Sequence, residues 1–254
     1  MLASARVMRA PVDSIVAPSF PKQLTWLNVA PLRMEKQARG PVLIEFWDFC
    51  RPASLRTLPY VQAWHERYAE HGLRVVSVHA PGFPVGEQQH EVGAAVERLA
   101  IQHAVAVDTE FELWRAYDNP GWPARYLFAP QLKLFEAHHG EGDYAGTELA
   151  IQELLGVERE VVPLLRGADD DDAPIVVPTA AVSGAHRGVY QAGAVWVIAA
   201  AAGTLTVDGV EVELAHPGAH LVREHERHER GWIELVPRDG LEIYATEFEA
   251  GLAG

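Results

Sequence analysis

The stretch PVLIEFWDFCRPASLRTLPY, residues 41–60, decides the fold. Its first half is a continuous run of apolar, β-favouring residues, and after Asp48 the apolar residues recur at three- and four-residue steps. This change of period predicts a buried strand that passes through a tight loop into a helix. Cys50, Arg51 and Ser54 fall at the junction. Backbone N–H groups at a helix N-terminus are unpaired and favour negative charge, so the junction predicts a site for a thiolate or a bound anion.

The composition of the 254 residues limits the classes of protein. The formal net charge of −14 disfavours a nucleic-acid or anionic-membrane partner, because both require a basic surface. A single cysteine excludes an internal disulfide and a multi-thiolate zinc site, so we predict no metal and no cofactor and leave a disulfide-linked homodimer open. No apolar run is long enough for a signal-peptide core or a membrane span, which predicts a cytoplasmic protein.

Strand and helix patterns alternate through the first part of the chain. Residues 1–16 are predicted to be irregular because prolines interrupt any pattern near the N-terminus. In residues 17–156 the predicted order is β-α-β-α-β-α-β-β-α. Such alternation indicates a largely parallel central sheet flanked by helices, with an antiparallel hairpin at one edge.

The composition changes after Gly156. Residues 157–174 contain four consecutive aspartates between Gly and Pro, and this run of like charges predicts a solvated acidic linker. A calcium loop is not predicted, because adjacent aspartates lack its alternate spacing. Residues 175–254 contain short alternating runs joined by Asp-Gly turns and predict a small antiparallel β-sandwich. Four aromatic residues of this segment could stack on a sugar, although the core also requires such residues: Tyr190, Trp196, Trp232 and Tyr244.

The chain resembles thioredoxin-like proteins of the TlpA/DipZ type. The matching stretches are LTWLNVAPL, PVLIEFWDF, LRTLPYVQAWHERY, GLRVVSVHAP, GWPARYLF and HHGEGDYAGTELAIQELLG, and they span about residues 17–156. In residues 175–254, GTLTVDG and PGAHLV resemble the carbohydrate-binding-module-like jelly roll that follows the thioredoxin domain in DipZ-type proteins. The resemblance implies an α/β thioredoxin fold with a mixed sheet. It also implies that Pro123 is a cis-proline facing the redox loop and that Glu45 is the buried acid that assists thiol chemistry.

The chain departs from the family at the redox motif, because the expected Cys-x-x-Cys is absent. An ungapped alignment on LRTLPY places Arg51 and Ser54 at the two cysteine positions and Cys50 one residue upstream. Alignment on the Cys-x-Pro spacing instead places Cys50 at the attacking position and Ala53 at the resolving one. We prefer the first alignment because it keeps the whole helix pattern. Neither supplies a resolving thiol, so ordinary dithiol exchange is not expected.

Two functions stay open for the junction. In the first, Arg51 and the helix N-terminus lower the pKa of an exposed Cys50, with Ser54 and Glu45 assisting, and the thiolate acts in monothiol redox chemistry or sensing toward protein or small-molecule thiols and disulfides. The alternative is a redox-inactive binding or scaffolding module, in which Cys50 is a small buried hydrophobe and Arg51 binds an anionic group or a peptide.

Four further residues are candidates for substrate binding. His79 ends a central strand, where ligands bind in open α/β sheets, although a hydrogen-bonded structural histidine is an equal interpretation. Trp47 and Trp122 bracket the predicted loop, and core packing would explain each of them as well. Pro123 completes the set as the implied cis-proline.

Overall fold

The computed structural model describes residues 14–254, so most of the predicted irregular segment 1–16 lies outside the described residues. At the end of that segment Val16 forms a β-bridge with Lys133. The helices are α1 (Pro52–Tyr68), α2 (Gln89–Arg98), α3 (Glu112–Ala116) and α4 (Tyr144–Leu155). The strands are β1 (Thr25–Leu27), β2 (Val42–Trp47), β3 (Arg74–His79), β4 (Ala104–Val107), β5 (Ala124–Ala129), β6 (Lys133–His139), β7 (Ile175–Val176), β8 (Val182–Ser183), β9 (Arg187–Ala199), β10 (Gly203–Val207), β11 (Val210–Leu214), β12 (Gly218–Pro237), β13 (Ile243–Glu249) and β14 (Gly251–Leu252).

The first sheet has the order β1-β4-β3-β2-β5-β6. Strands β2, β3 and β4 run parallel to their neighbours in this group, whereas β1, β5 and β6 pair antiparallel. The predicted mixed α/β sheet is therefore confirmed, but it is less parallel than the alternation suggested. The order of elements along the chain does not show that β5 enters the sheet in the reverse direction beside β2.

Strand β2 is buried along its whole length because helices cover both of its faces. Val42, Ile44 and Phe46 pack in a cluster that includes Leu113 of α3 on one face. Leu43 packs under α1 and α4 on the other face. This double cover explains why the strand shows a continuous apolar run rather than an alternating one.

The second part of the chain forms an antiparallel sheet of order β11-β10-β12-β9-β13-β8, here called the C-terminal sheet. Strand β12 pairs with β9 over most of its length, with irregularities after Leu221 and after Glu224. The predicted Asp208-Gly209 turn joins β10 to β11, and both of its residues have positive φ. The predicted change from an α/β part to an antiparallel all-β part is thus confirmed. The exact division at residues 156 and 175 stays a prediction.

Residues 157–174, predicted to be a solvated acidic linker, are mostly exposed, but one of their four aspartates is buried. Asp169, the first of the four aspartates, is buried and accepts a hydrogen bond of 2.7 Å from the Tyr60 hydroxyl. Arg166 also donates to Asp169. The sequence shows the run of like charges, but it does not show that Tyr60 and Arg166 donate hydrogen bonds to one of these carboxylates. Within residues 14–254 no group of three or more His, Cys, Asp or Glu side chains is placed to hold a metal ion.

Across the same described range, no helix combines the length and the apolar character that a membrane span requires.

Candidate functional site

The loop between β2 and α1, residues 48–51 and here called the redox loop, is held by one buried carboxylate. Asp48 accepts a hydrogen bond from the Cys50 N–H at 2.9 Å through Oδ1 and from the Gly82 N–H at 2.8 Å through Oδ2. The Asp48 N–H in turn donates to Ser54 Oγ at 3.3 Å. The first two bonds use the Asp48 carboxylate as the acceptor in a tight turn, which is a common role for this residue type. They fix the direction in which each loop side chain points.

The start of α1 brings Arg51 to the N-terminus of the helix, beside Trp122. Arg51 is the N-cap and Pro52 is the first helical residue, so Ser54 is the third. The Trp122–Pro123 peptide bond is cis, as the family resemblance implied. The Arg51 guanidinium lies 4.9 Å from the centre of the Trp122 ring. A cation therefore faces the cis-proline loop from the helix start, and the ungapped alignment stays a prediction.

The Cys50 thiol lies in the core. It is completely buried in an apolar cluster that also contains Trp47, Phe49 and Leu58. Burial raises the pKa of the thiol above its ordinary value, the charge of Asp48 adds to the rise, and the charge of Arg51 opposes it only in part. The predicted exposed thiol with a lowered pKa is therefore wrong for this arrangement, because desolvation outweighs the nearby cation.

The C-terminal sheet forms one wall of the same apolar cluster. Ile198 of β9, Ala219 of β12 and Ala245 of β13 belong to the cluster that encloses Cys50. The Ala219 N–H donates to the Phe49 carbonyl at 3.3 Å. The cover over the redox loop thus comes from a sheet that begins more than a hundred residues later in the chain.

Gly218 lies so close to the redox loop that no side chain fits there. A Cβ on this residue would lie 2.7 Å from Phe49 Cδ2 and 3.2 Å from the Phe49 carbonyl oxygen. The φ of Gly218 is +107°, which also favours glycine. The contact between the two parts of the chain therefore depends on the absence of a side chain.

Two ion pairs join the C-terminal sheet to α1. Arg51 Nη1 lies 3.1 Å from Glu247 Oε1, and both side chains are about a quarter exposed. Arg56 Nη1 lies 2.8 Å from Glu249 Oε2. Glu249 also accepts hydrogen bonds from Arg166 at 2.8 Å and from the Trp196 indole at 2.9 Å.

The four predicted substrate-binding residues separate into two layers. Trp122 is partly buried and donates from Nε1 to the Ala80 carbonyl at 3.0 Å, whereas the neighbouring Pro123 is buried. Trp47 and His79 are completely buried beneath the redox loop, so neither is exposed to a ligand in this arrangement. His79 Nε2 lies 3.3 Å from Asp48 Oδ1, and its ring stacks on Phe49 at 5.3 Å.

Glu45 lies in a polar row that crosses the first sheet under α1. Its neighbours in register are Ser77 of β3 and Arg125 of β5. The Ser77 hydroxyl donates to Glu45 at 2.6 Å, and the His103 ring contacts the same hydroxyl at 2.7 Å. Burial raises the pKa of Glu45 to about 7, while Ser77 and Arg125 oppose the rise. Burial lowers the pKa of His103 to about 3, with a smaller contribution from His65.

Sequence reasoning missed several residues of this region, although some left a signal. Ser77 and Arg125 each interrupt an apolar strand pattern, at positions that face the same side as Glu45. Glu247 and Glu249 alternate with apolar residues along β13, which indicates an acidic face. Nothing in the sequence indicates that this acidic face meets Arg51, because 196 positions separate Arg51 from Glu247.

The four aromatic residues considered for sugar binding do not share a surface. Tyr190 is buried, and the Trp196 indole is bonded to Glu249. Tyr244 stacks on Phe83 at 5.5 Å. Only Trp232 of these four is largely exposed.

Comparison with known proteins agrees with this architecture. No protein-family model matches the chain. The protein DipZ of Mycobacterium tuberculosis is 29% identical over 170 residues, which cover 66% of this chain and 24% of DipZ. The thiol-disulfide oxidoreductase YkuV of Bacillus subtilis is 30% identical over 125 residues, which cover 47% of this chain and 82% of YkuV. The chain belongs to the thioredoxin-like proteins of the TlpA/DipZ type.

A solved structure supports the fold of this TlpA/DipZ-type chain independently. The thioredoxin-like superfamily protein SPOA0173 superposes with a TM-score of 0.53 at 21% identity, and the match covers 59% of this chain and all of SPOA0173. The single cysteine fits a family member that has lost its Cys-x-x-Cys motif. The chain spans about a quarter of the length of the DipZ protein that it matches.

Proposed function

We propose that this protein performs monothiol redox chemistry or thiol sensing through Cys50, and that the thiol is latent until the C-terminal sheet moves away from the redox loop. The observation that carries the proposal is the origin of the cover: Ile198, Ala219 and Ala245 belong to a sheet separate from the one that carries Cys50. A thiol covered in this way can become reactive without unfolding of the α/β part. The similarity to YkuV, which is named a thiol-disulfide oxidoreductase, supports thiols and disulfides as the reaction partners.

Uncovering Cys50 would change the balance that sets its pKa. Water would remove the desolvation, which is the largest cause of the raised pKa of the thiol, while the charge of Arg51 would favour the thiolate and the charge of Asp48 would still oppose it. The thiolate would attack one sulfur of an external disulfide, form a mixed disulfide with it, and release the other sulfur as a thiolate. Because the chain has no second cysteine, the mixed disulfide would persist until an external thiol attacks it.

The rate at which Cys50 reacts in the folded protein tests the proposal. Intact protein is incubated with glutathione disulfide or with iodoacetamide at several urea concentrations below the unfolding transition, and the adduct is followed by mass spectrometry. We expect modification faster than global unfolding allows, with a rate that depends only weakly on urea, because opening the cover exposes little surface. Cys50→Ser gives the background. A rate that follows global unfolding at every urea concentration would contradict the proposal.

The second candidate function is a redox-inactive binding module, and one observation favours it. Arg51 occupies the helix-start position at the cis-proline loop, while the only thiol is turned inward. In that function Cys50→Ala would leave partner binding unchanged. The cytoplasmic location stays a prediction. A disulfide-linked homodimer would require the same uncovering of Cys50, and a non-reducing gel after oxidation tests for it.

A further inference from the structure

The Arg51 guanidinium lies in a slot between two aromatic rings at the edge of the redox loop. Its central carbon is 4.7 Å from the centre of the Phe83 ring and 4.9 Å from that of Trp122. Such contacts favour a cation and keep its planar group in one orientation. A Cβ on Gly82 would lie 2.7 Å from Arg51 Nε, so the glycine makes room for the guanidinium.

Arg51 pairs with a carboxylate in the slot and keeps part of its surface exposed. Arg51 Nε is buried and makes no hydrogen bond, whereas Nη1 donates to Glu247 Oε1 at 3.1 Å. The side chain of Arg51 keeps 29% of its surface exposed. A planar guanidinium that already holds one carboxylate and keeps part of its surface exposed is suited to bind a carboxylate.

Glu247 reaches this slot from outside the α/β part. It lies on β13 of the C-terminal sheet, between Ala245, which helps to cover Cys50, and Glu249, which pairs with Arg56. Phe83, which forms one side of the slot, stacks on Tyr244 of the same strand. The carboxylate in the slot is therefore carried by the same strand that helps to cover the thiol.

We propose that the slot formed by Arg51, Phe83 and Trp122 is a binding site for a carboxylate of an acidic partner peptide, and that Glu247 is its resident occupant. The partner's group is either a glutamate or aspartate side chain or a C-terminal carboxylate, since the chemistry is shared. The inference rests on the movable sheet of the proposed function, but it requires no reaction at Cys50. The partner carboxylate and Glu247 therefore compete for the slot. The smaller the fraction of protein in which Glu247 has left the slot, the weaker the apparent affinity for the partner.

Capped peptides titrated into isotopically labelled full-length protein test the site. The protein carries Cys50→Ala, so a failure of thiol chemistry cannot affect the result. The readout is the indole N–H signal of Trp122, assigned with Trp122→Phe. The probes are acetyl-Gly-Glu-Gly-amide for a side-chain carboxylate, acetyl-Gly-Gly-Gly with a free C-terminus, and acetyl-Gly-Gln-Gly-amide as the neutral control.

Two matched variants separate the resident occupant from a general charge effect. Glu247→Gln removes the carboxylate from the slot, and Glu234→Gln removes one from the exposed pair with Arg187 on the same sheet. We expect Glu247→Gln to bind the acidic probes roughly 2- to 5-fold more tightly than Glu234→Gln, the change that a partly exposed ion pair allows. Arg51→Lys should weaken binding, since it keeps the charge but loses the planar fork, and Arg51→Gln should abolish it.

Each outcome decides the proposal. Binding of either acidic probe in preference to the glutamine peptide supports the slot and shows which carboxylate it accepts. Equal binding of the glutamine peptide, or equal affinities of Glu247→Gln and Glu234→Gln, would overturn it. If the alkylation experiment fails while the acidic peptides bind as expected, the proposed thiol function is refuted and the carboxylate site is retained.

Discussion

Gly218 provides the sharpest test of the contact between the C-terminal sheet and the redox loop. In Gly218→Ala the new Cβ would lie 2.7 Å from the Phe49 ring, a separation that real Cβ atoms essentially never show. Added volume in a packed contact costs about 1–3 kcal/mol. The positive φ of +107° costs an alanine roughly 1–2 kcal/mol more. The first cost arises from the contact with Phe49, and the second arises from backbone strain at residue 218 itself.

Gly72→Ala is the matched control for that strain. Its φ is +105°, but a Cβ there would have no neighbour within 4 Å. The two variants therefore share the backbone strain and differ in the overlap with Phe49. If the overlap disfavours only the covered arrangement, the uncovered fraction in Gly218→Ala should rise about 5- to 150-fold, the factors that correspond to about 1–3 kcal/mol.

Timed alkylation of Cys50 measures that fraction directly. The rate in each variant is divided by the rate of the denatured protein at the same pH and is compared with the free energy of unfolding from urea titration. We expect Gly218→Ala to react faster than Gly72→Ala at equal global stability. Equal rates after this correction would refute the reasoning, because the overlap would then have destabilised the whole protein rather than the cover.

Three further predictions concern stability. Burial raises the pKa of Glu45 from 4.5 to about 7, so between these pH values the native state keeps a proton that the unfolded chain loses. The free energy of unfolding should therefore fall by about 3 kcal/mol as the pH rises from 4.5 to 7. Glu45→Gln should remove that loss in urea titrations. For His103 the pH dependence of the free energy of unfolding has the opposite sign, because its lowered pKa makes stability rise with pH from about 3 to 6.5. His103→Gln should flatten that rise in the same assay. Arg56→Gln and Glu249→Gln should show a coupling of about 1–3 kcal/mol in a double-mutant cycle of unfolding, because their side chains are only 13% and 15% exposed.

The sequence predicts the α/β part well where local periodicity decides it. The apolar run 42–47 and the helical spacing from Leu55 onward correspond to β2 and α1. The Asp208-Gly209 turn was predictable because a two-residue hairpin turn needs positive φ at both positions. Strand direction was not predictable in the same way, since β5 shows a similar apolar pattern whichever way it runs.

The packing of one part of the chain on the other was beyond sequence reasoning. The contacts of Arg51 with Glu247, and of Phe49 with Gly218, join residues far apart in the chain. Gly218 follows Pro217, and this dipeptide indicates an ordinary turn rather than a close contact with the redox loop. The four aspartates at 169–172 show a related limit, because charge repulsion is visible in the sequence and the buried Tyr60 partner is not.

The pKa of Cys50 depends on its side-chain direction more than on its place in the chain. A helix N-terminus stabilises a nearby charge by about 0.3–1 kcal/mol, and the effect is confined to the first turn. Full burial can shift a pKa by up to about 3–5 units, and each unit corresponds to about 1.4 kcal/mol. Cys50 precedes the N-cap, and the bonds to Asp48 turn the loop so that the thiol enters the apolar cluster. Burial, together with the charge of Asp48, therefore prevails over the dipole and over Arg51, and a change in the cover would remove the largest of these effects.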